Sequence, residues 1–220
     1  EEDLMLLEGL AGQAAVAIRN ARLYEELARR HRELAALNAI AAAINRALDL
    51  ETLMAEAVKR VIQCVGADGG GIRLLDPISD RLTLSFSRGI SDEYAASVRD
   101  LGLGEGIVGR VALTGEPALL ADMQDDARVQ PGVLAALRDE GLRAFAVAPL
   151  HSREEIVGTL GVVSYTSGAF GVQDVELLTA IGRQLGVAIE NARLRQQTLD
   201  AERLAAVGRV AASGAPDLRS

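Results

Sequence analysis

The chain has 220 residues, of which 49% are hydrophobic and 25% charged, and its formal net charge at pH 7 is −8. This composition is typical of a globular protein with one substantial core, and it excludes a disordered chain. The acidic balance, without a dense run of Lys or Arg, argues against direct nucleic-acid binding. A single cysteine, Cys64, excludes an intrachain disulfide and a cysteine-based zinc site and fits a reducing cytoplasm. With neither a signal peptide nor an apolar run of membrane-spanning length, we expect a cytoplasmic location and no membrane contact for these residues.

The first predicted element is a helix that the sequence contains twice. Residues 3–23 read DLMLLEGLAGQAAVAIRNARL, and residues 174–194 read DVELLTAIGRQLGVAIENARL. Repetition at about one domain length indicates a tandem array, in which the same helix closes each unit and leads into the next. We therefore assign residues 1–36 to the end of an upstream domain and a linker helix.

Residues 20–48 are predicted to form one long helix with a coiled-coil seam. Its apolar residues recur in alternating steps of four and three, with one polar interruption at Arg30, which is the heptad pattern of paired helices. The alternative is an amphipathic helix that lies on its own domain. The predicted dimer seam comprises Leu23, Leu27, Leu34, Leu37, Ile44 and Leu194.

The middle of the chain predicts a sheet between helices. Asp49 is a predicted N-cap for an amphipathic helix over 51–65, in which Cys64 is expected to be a buried structural thiol. Strands are predicted over 70–76, 81–88, 116–120, 143–150 and 155–165, with hairpins after the first and the fourth. Such pairing makes the sheet antiparallel and the fold class α+β. A short helix is predicted over 91–100, and the polar stretch 121–142, with a helical segment over 133–139, is predicted to be a lid or binding loop.

A glycine motif and two histidines are the remaining candidates for chemistry. Gly104, Gly106 and Gly109 spell Gly-x-Gly-x-x-Gly, but a dinucleotide fingerprint must follow a strand inside a parallel unit, and here a helical segment precedes it. Gly109 is instead predicted to let the helix over 107–113 pack closely. His31 and His151 have no metal-binding cluster or nucleophile partner in the sequence. We expect no catalytic residue and no metal site.

Three successive stretches resemble the second half of a GAF domain. They read LGEGIVGRVALTGEPALLAD at 103–122, AVAPLHSREEIVGTLGVVSY at 146–165 and AFGVQDVELLTAIGRQLGVAIENARL at 169–194. The resemblance covers 37–195, which we assign to a GAF sensor domain. It implies a six-stranded antiparallel sheet with helices on both faces, a small-molecule pocket under a lid formed by 101–142, and parallel dimers joined by long coiled-coil helices at both ends.

The known GAF ligands fit this sequence poorly. Cyclic-nucleotide members carry an Asn-Lys pair after the last strand and then Phe with an Asp-Glu pair; Phe170 and Asp174 match, but Val175 replaces the Glu. Bilin-binding members need a suitable cysteine, and free methionine sulfoxide reductases work through several, so one thiol fits neither. The ligand stays unknown, and neither haem, bilin nor metal is predicted.

Candidate pocket residues are the polar or aromatic positions on otherwise apolar strands, together with one tyrosine in the lid helix. Ordinary core or edge positions are the alternative for each. They are Arg73, Ser85, Phe86, Tyr94, Phe145, Ser164 and Tyr165.

The last residues indicate the class of function. ERLAAVGRVAASGAPDLRS, at 202–220, resembles the opening of the dimerisation and phosphotransfer helix of sensor histidine kinases. Pro216 stands where the phospho-accepting histidine belongs, and proline has no nucleophilic nitrogen to offer. We assign 196–220 to a coiled-coil linker and the start of a degenerate phosphotransfer helix, unless the residues after Ala212 are altered sequence.

These resemblances together imply a regulatory input module of a two-component histidine kinase. It would be a homodimer through its terminal helices, with a downstream kinase domain and response regulator as partners, and it would bind a small molecule or relay a conformational signal. The alternative is a ligand-free dimerisation spacer in a signalling protein.

Overall fold

The computed structural model describes residues 49–213 and, before them, residues 13, 18–24, 26, 30, 34, 35, 38 and 41; side chains after 199 are described only at 202. Eleven elements follow one another in the continuous part. They are helix α1 (Leu50–Val65), strands β1 (Gly69–Asp76) and β2 (Arg81–Arg88), helix α2 (Asp92–Ser97), strand β3 (Asp100–Gly102), helix α3 (Gly106–Thr114), strand β4 (Ala118–Leu120), helix α4 (Pro131–Glu140), strands β5 (Ala144–Ser152) and β6 (Glu155–Ser164), and helix α5 (Val172–Ser213).

The strands form one six-stranded sheet in the order β3-β2-β1-β6-β5-β4. Every neighbouring pair is antiparallel, which confirms the predicted α+β fold with its antiparallel sheet. Two hairpins, β1-β2 and β5-β6, are joined in the centre by the pairing of β1 with β6. The sheet therefore depends on a contact between segments far apart in the sequence.

Helix α1 begins and ends where the sequence predicts. Asp49 accepts a hydrogen bond from the Thr52 amide at 2.7 Å, and Gly66 ends the helix with a φ of 66°, a left-handed conformation that glycine adopts without strain. Its buried stripe continues through Ile62 in the last turn. Cys64 lies to one side of that stripe and is exposed, so the prediction of a buried thiol is wrong.

Helices α1 and α5 cover one face of the sheet. Leu178, Ile181, Leu185 and Ile189 of α5 are almost completely buried against it. Two glycines set the distance between helix and strand: a Cβ at Gly182 would lie 2.4 Å from the Pro149 carbonyl oxygen, and one at Gly186 would lie 2.2 Å from that of His151. Any side chain there would push α5 away from β5.

The opposite face carries the three shorter helices and two smaller clusters of buried residues. One cluster centres on Leu120, Leu137 and Leu142, and the other includes Leu82 and Val108. A Cβ at Gly109 would lie 2.4 Å from the Gly102 carbonyl oxygen, so this glycine does serve close packing. The predicted helix over 91–100 is shorter than expected, because the chain turns into β3 at its end.

The flanking helices are only partly described. Helix α5 runs unbroken for 42 residues, and Leu23, Leu34 and Leu194 of the predicted seam are 50–60% exposed. Leu27, Leu37 and Ile44 lie outside the described residues, as does Pro216. The coiled coil, the dimer and the domain boundaries stay predictions. Within the described part of the chain, we find no helix with the length and apolarity needed to cross a bilayer.

Candidate functional site

A cavity of about 120 Å³ lies between the sheet and helices α2, α3 and α4. One buried water needs roughly 10–15 Å³ on the same measure, so the cavity has room for a small organic molecule. Its wall is predominantly apolar, which is typical of ligand sites. The lining comprises Gly70, Gly71, Arg73, Leu84, Ile90, Tyr94, Val98, Leu101, Glu105, Gly106, Ile107, Val108, Met123, Arg128, Val129, Gln130, Val133, Leu137, Phe145, Gly161 and Val163.

On the side of the cavity that the sheet forms, space remains because glycines occupy the central strand positions. Side chains alternate between the faces of a strand, and the cavity-facing positions at the centre of β1 and β6 include Gly71 and Gly161. The ring of Phe145 fills part of the space, since a Cβ at Gly161 would lie 2.9 Å from it. Larger residues at the two glycines would fill the hollow.

A β-bulge decides which residues of β2 face the cavity. Ile72 of β1 pairs with Phe86, but the next residue, Arg73, pairs with Leu84, so Ser85 is the extra residue of the bulge. Leu84 and Phe86 would share a face in a regular strand. Here Leu84 lines the cavity, and Phe86 packs in the core under α1 and α5.

Arg73 is the polar side chain whose bonding is incomplete. Its Nη2 donates to the Val98 carbonyl oxygen at 2.9 Å. Its Nε is buried and, among the described residues, has no hydrogen-bond partner. Leaving such a donor unpaired costs about 1–3 kcal/mol, and more when the group is charged. Burial lowers the pKa of the guanidinium, with Tyr94 opposing that shift, but an arginine stays protonated at neutral pH.

Tyr94 brings a neutral phenol to the same cavity. Burial raises its pKa to about 12; the charge of Arg73 acts against the shift, and Glu140 adds to it. Helix α2 holds the residue in place, because the Ser91 side chain accepts from the Tyr94 amide at 3.1 Å and caps the helix. The phenol is therefore available as a hydrogen-bond donor.

The other charged groups of the lining already have partners. Glu105 accepts from the Gly102 amide at 2.7 Å, at the start of α3. Arg128 pairs with Asp126 at 2.7 Å and donates to the Leu119 carbonyl oxygen at 3.1 Å. The hydrogen bond to Asp126 raises the pKa of Arg128, and the same bond lowers the pKa of Asp126.

A polar latch holds two lid helices together. The Glu140 carboxylate, at the end of α4, accepts from the Ser91 amide at 2.7 Å and from the Ser91 hydroxyl at 2.5 Å. Ser91 is the N-cap of α2. Because α2 and α4 both contribute to the cavity wall, this latch is placed to resist their separation.

Three of the seven residues predicted for the pocket line the cavity, namely Arg73, Tyr94 and Phe145. The remaining four lie outside the lining, and a role for any of the seven in ligand binding stays a prediction. Ser85 is exposed at the bulge, and Phe86 packs on the other face. Ser164 donates to Asp68 at 2.5 Å, and the Tyr165 amide donates to the same carboxylate at 3.0 Å. These two hydrogen bonds tie the end of β6 to the residue that precedes β1.

Most of the lining comes from the lid, residues 101–142, where the sequence analysis predicted no pocket residue. Glu105, Arg128 and Gln130 are among those missed. The one signal in the sequence that could have pointed to these residues is the prediction that 101–142 forms a lid over the pocket. No periodic pattern in such an irregular segment distinguishes inward from outward side chains.

The described residues contain no group of three or more side chains that could hold a metal ion. Cys64 lies outside the cavity lining. Although the side chain is exposed, neighbouring protein atoms displace some of the water around the thiol and raise its pKa, with Arg60 acting in the opposite direction. A raised pKa makes the nucleophilic thiolate scarcer.

The family follows from the sequence together with this fold. Residues 47–190 match the family model described as the GAF domain. Because the match spans more than half of the chain, the protein belongs to the GAF domain family.

Solved structures have the same fold. The chain is similar to the GAF domain of a phosphoenolpyruvate-protein phosphotransferase from Coxiella burnetii, with a TM-score of 0.67 and 23% identity over 76% of this chain and 98% of that one. It is similar to a free methionine-R-sulfoxide reductase from Neisseria meningitidis, with a TM-score of 0.61 and 20% identity over 72% and 89% of the two chains. It is also similar to a domain of a candidate two-component sensor histidine kinase from Sinorhizobium meliloti 1021, with a TM-score of 0.57 and 20% identity over 70% and 97%. At these identities the likeness concerns the fold alone.

Proposed function

We propose that this chain is the sensory input module of a signalling protein, in which the cavity binds a small molecule and helix α5 carries the response. The observation that supports this most directly is the incompletely bonded Arg73 in the wall of an otherwise apolar cavity. A cavity that served only as a packing defect would gain stability from an apolar residue at that position. GAF domains are typical sensor modules of signalling proteins, which fits this interpretation.

The response would pass through strand β5. Phe145 faces the cavity, and farther along the same strand the backbone at Pro149 and His151 lies against Gly182 and Gly186 of α5. No side chain lies between the two backbones at these glycines. A small displacement of β5 therefore has to move α5 or open a gap between them. A ligand that favours one arrangement would shift the population toward it.

The output we propose is a two-component histidine kinase working as a homodimer through its terminal helices. Support comes from the kinase-like sequence at 202–220 and from the similarity to the Sinorhizobium domain. Val187, Leu194 and Leu199 of α5 are about half exposed, as expected for a helix that pairs with a second copy. A kinase domain and a response regulator would then be the downstream partners, and an upstream GAF domain would precede this one.

A reductase function is not proposed, although the fold is shared with the Neisseria enzyme. Its chemistry would need a thiol at the cavity and a second thiol to form a disulfide. The only cysteine of this chain is Cys64, which lies outside the lining.

A thermal-shift screen with nucleotides, haem, amino acids and small organic acids tests the sensory proposal. A ligand that binds only the folded chain raises its melting temperature in a saturable way, and we expect at least one class to do so. Silence across the panel would favour the ligand-free spacer. Sedimentation of the same sample tests the dimer, and a monomer at high concentration would contradict that part of the proposal.

A further inference from the structure

Two arginines line the cavity, and their bonding differs. The Arg128 guanidinium donates through Nε and Nη2 to the Asp126 carboxylate and through Nη2 to Leu119. Arg73 has a carbonyl partner, Val98, but no carboxylate partner is present among the described residues, and its Nε has no acceptor. Arg128 is therefore neutralised within the protein, whereas Arg73 presents an uncompensated positive charge.

The surroundings of Arg73 favour a negative group beside it. Tyr94 lines the same cavity and keeps its proton, so it can add a second donor. A buried cation without a counter-ion is unfavourable in an apolar site, and an anion that enters removes that penalty. Among the lining residues that the structure describes, Arg73 alone offers an uncompensated positive charge, so one negative charge on the ligand is sufficient to neutralise it.

The rest of the cavity limits what the anion can be. The volume of about 120 Å³ favours a small ligand. The wall is made mainly of aliphatic side chains and one phenylalanine, so the body of the ligand has to be apolar. Glu105 also lines the cavity, and its negative charge disfavours a ligand with a second negative charge, such as a phosphate dianion.

We infer that the cavity takes a small monocarboxylic acid with a branched aliphatic or aromatic body, whose carboxylate pairs with the guanidinium of Arg73. The inference rests on the proposed function, because it names the ligand of that same cavity. It assigns Arg73 as the residue that determines specificity and the aliphatic wall as the surface that selects the size of the body.

Isothermal titration of the chain tests the charge requirement directly. The probes are phenylacetate and isocaproate, each compared with its neutral amide, phenylacetamide or isocaproamide. We expect at least one acid to bind roughly 10- to 100-fold more tightly than its amide, which is the range for a hydrogen bond to a charged group. This comparison uses the unaltered chain and needs no variant.

Arg73→Met, with Arg128→Met as the matched control, assigns the effect to a residue. Both changes remove an arginine from the lining, but only the first removes an uncompensated charge. We expect Arg73→Met to abolish the preference for acid over amide without lowering the melting temperature, and Arg128→Met to retain the preference.

The outcomes separate this inference from the sensory proposal. Equal binding of acids and amides, or an acid preference that survives in Arg73→Met, overturns the inference but leaves the cavity a ligand site. Silence toward the acids with a saturable response to a neutral or cationic compound of the wider panel does the same. Silence toward every compound overturns the inference and the proposed function together.

Discussion

The two faces of the sheet differ in how closely the helices pack on them. Under α1 and α5 the packing is continuous, with α5 drawn to within a backbone contact of β5 by Gly182 and Gly186. Under α2, α3 and α4 a hollow remains, the helices are short, and a guanidinium is left without a full set of partners. Close packing restricts relative movement at the first face, whereas the second face keeps a cavity and an incompletely bonded guanidinium.

Removing one leucine from each face should produce the largest effect and show this contrast. Leu185 of α5 is fully buried, and Leu137 of α4 is buried but borders the cavity. We expect Leu185→Ala to lower the free energy of unfolding by about 2–5 kcal/mol. Leu137→Ala should cost less, because that side chain already lacks neighbours on one side. Urea denaturation measures both, and equal losses would contradict the difference between the faces.

Closing the gap between α5 and β5 should have the next largest effect. A Cβ at Gly186 would overlap the backbone of His151, so we expect Gly186→Ala to lower the free energy of unfolding by about 1–3 kcal/mol.

The control for that change is Gly132→Ala in α4, where a Cβ would meet no atom within 4 Å. Alanine is the better helix former by about 1 kcal/mol, so the control should be neutral or stabilising. A harmless Gly186→Ala would mean that the sheet and α5 are not in rigid contact, and the route of coupling through β5 would be lost.

Opening the latch should change the ligand face with a smaller effect on stability. Glu140→Ala removes both acceptors of Ser91. Because this contact is exposed to solvent, each bond should contribute no more than about 1.5 kcal/mol, the lower end of the range for bonds to a charged group. We expect faster association and dissociation of any bound ligand in stopped-flow measurements, because the lid helices separate more readily. Ser91→Ala tests the same contact from the other side, and unchanged kinetics in both variants would exclude the latch as a gate.

The prediction with the smallest consequence near neutral pH is a dependence of stability on alkaline pH, which belongs to the cavity face. Tyr94 has a pKa of about 12 in the folded chain, against about 10 for an unperturbed tyrosine. The unfolded chain therefore loses this proton first, and the stabilisation that Tyr94 gives below pH of about 10 declines as the pH rises toward about 12.

Tyr94→Phe should remove this slope from a plot of unfolding free energy against pH. In the unaltered chain, the ultraviolet absorbance of tyrosinate should include a component with a midpoint near pH 12, absent from the variant. Persistence of that component in Tyr94→Phe would show that Tyr94 is not its source.

Local signals in the sequence were sufficient for most of the framework. The Asp49 cap, the two hairpins and the buried stripe from Leu178 to Ile189 are set by neighbours within a few residues or by a regular period, and the structure has each of them. Gly109 was also interpreted correctly as a close-packing glycine. The sequence indicated a helical segment before its helix, whereas the structure has the short strand β3 there, which is antiparallel and therefore not part of a parallel nucleotide-binding unit.

The candidate site was harder to predict, because its residues are brought together by contacts that no local pattern records. The bulge at Ser85 reverses the face of Phe86, and Arg128 reaches the cavity from an irregular segment. Arg73 could be named from the sequence as a polar residue on an apolar strand. That its Nε finds no acceptor among the residues described depends on what α2 and the lid place around it.

By itself, the sequence determined an α+β chain with an antiparallel sheet and an amphipathic closing helix, since periodicity, caps and turns act over short distances. Only the tertiary structure decided that one face of the sheet would be packed to backbone contact and the other left hollow around a charged side chain. The reason is that cavity shape and hydrogen-bond satisfaction depend on all the elements that meet at one place, including those brought there by the long-range pairing of β1 with β6.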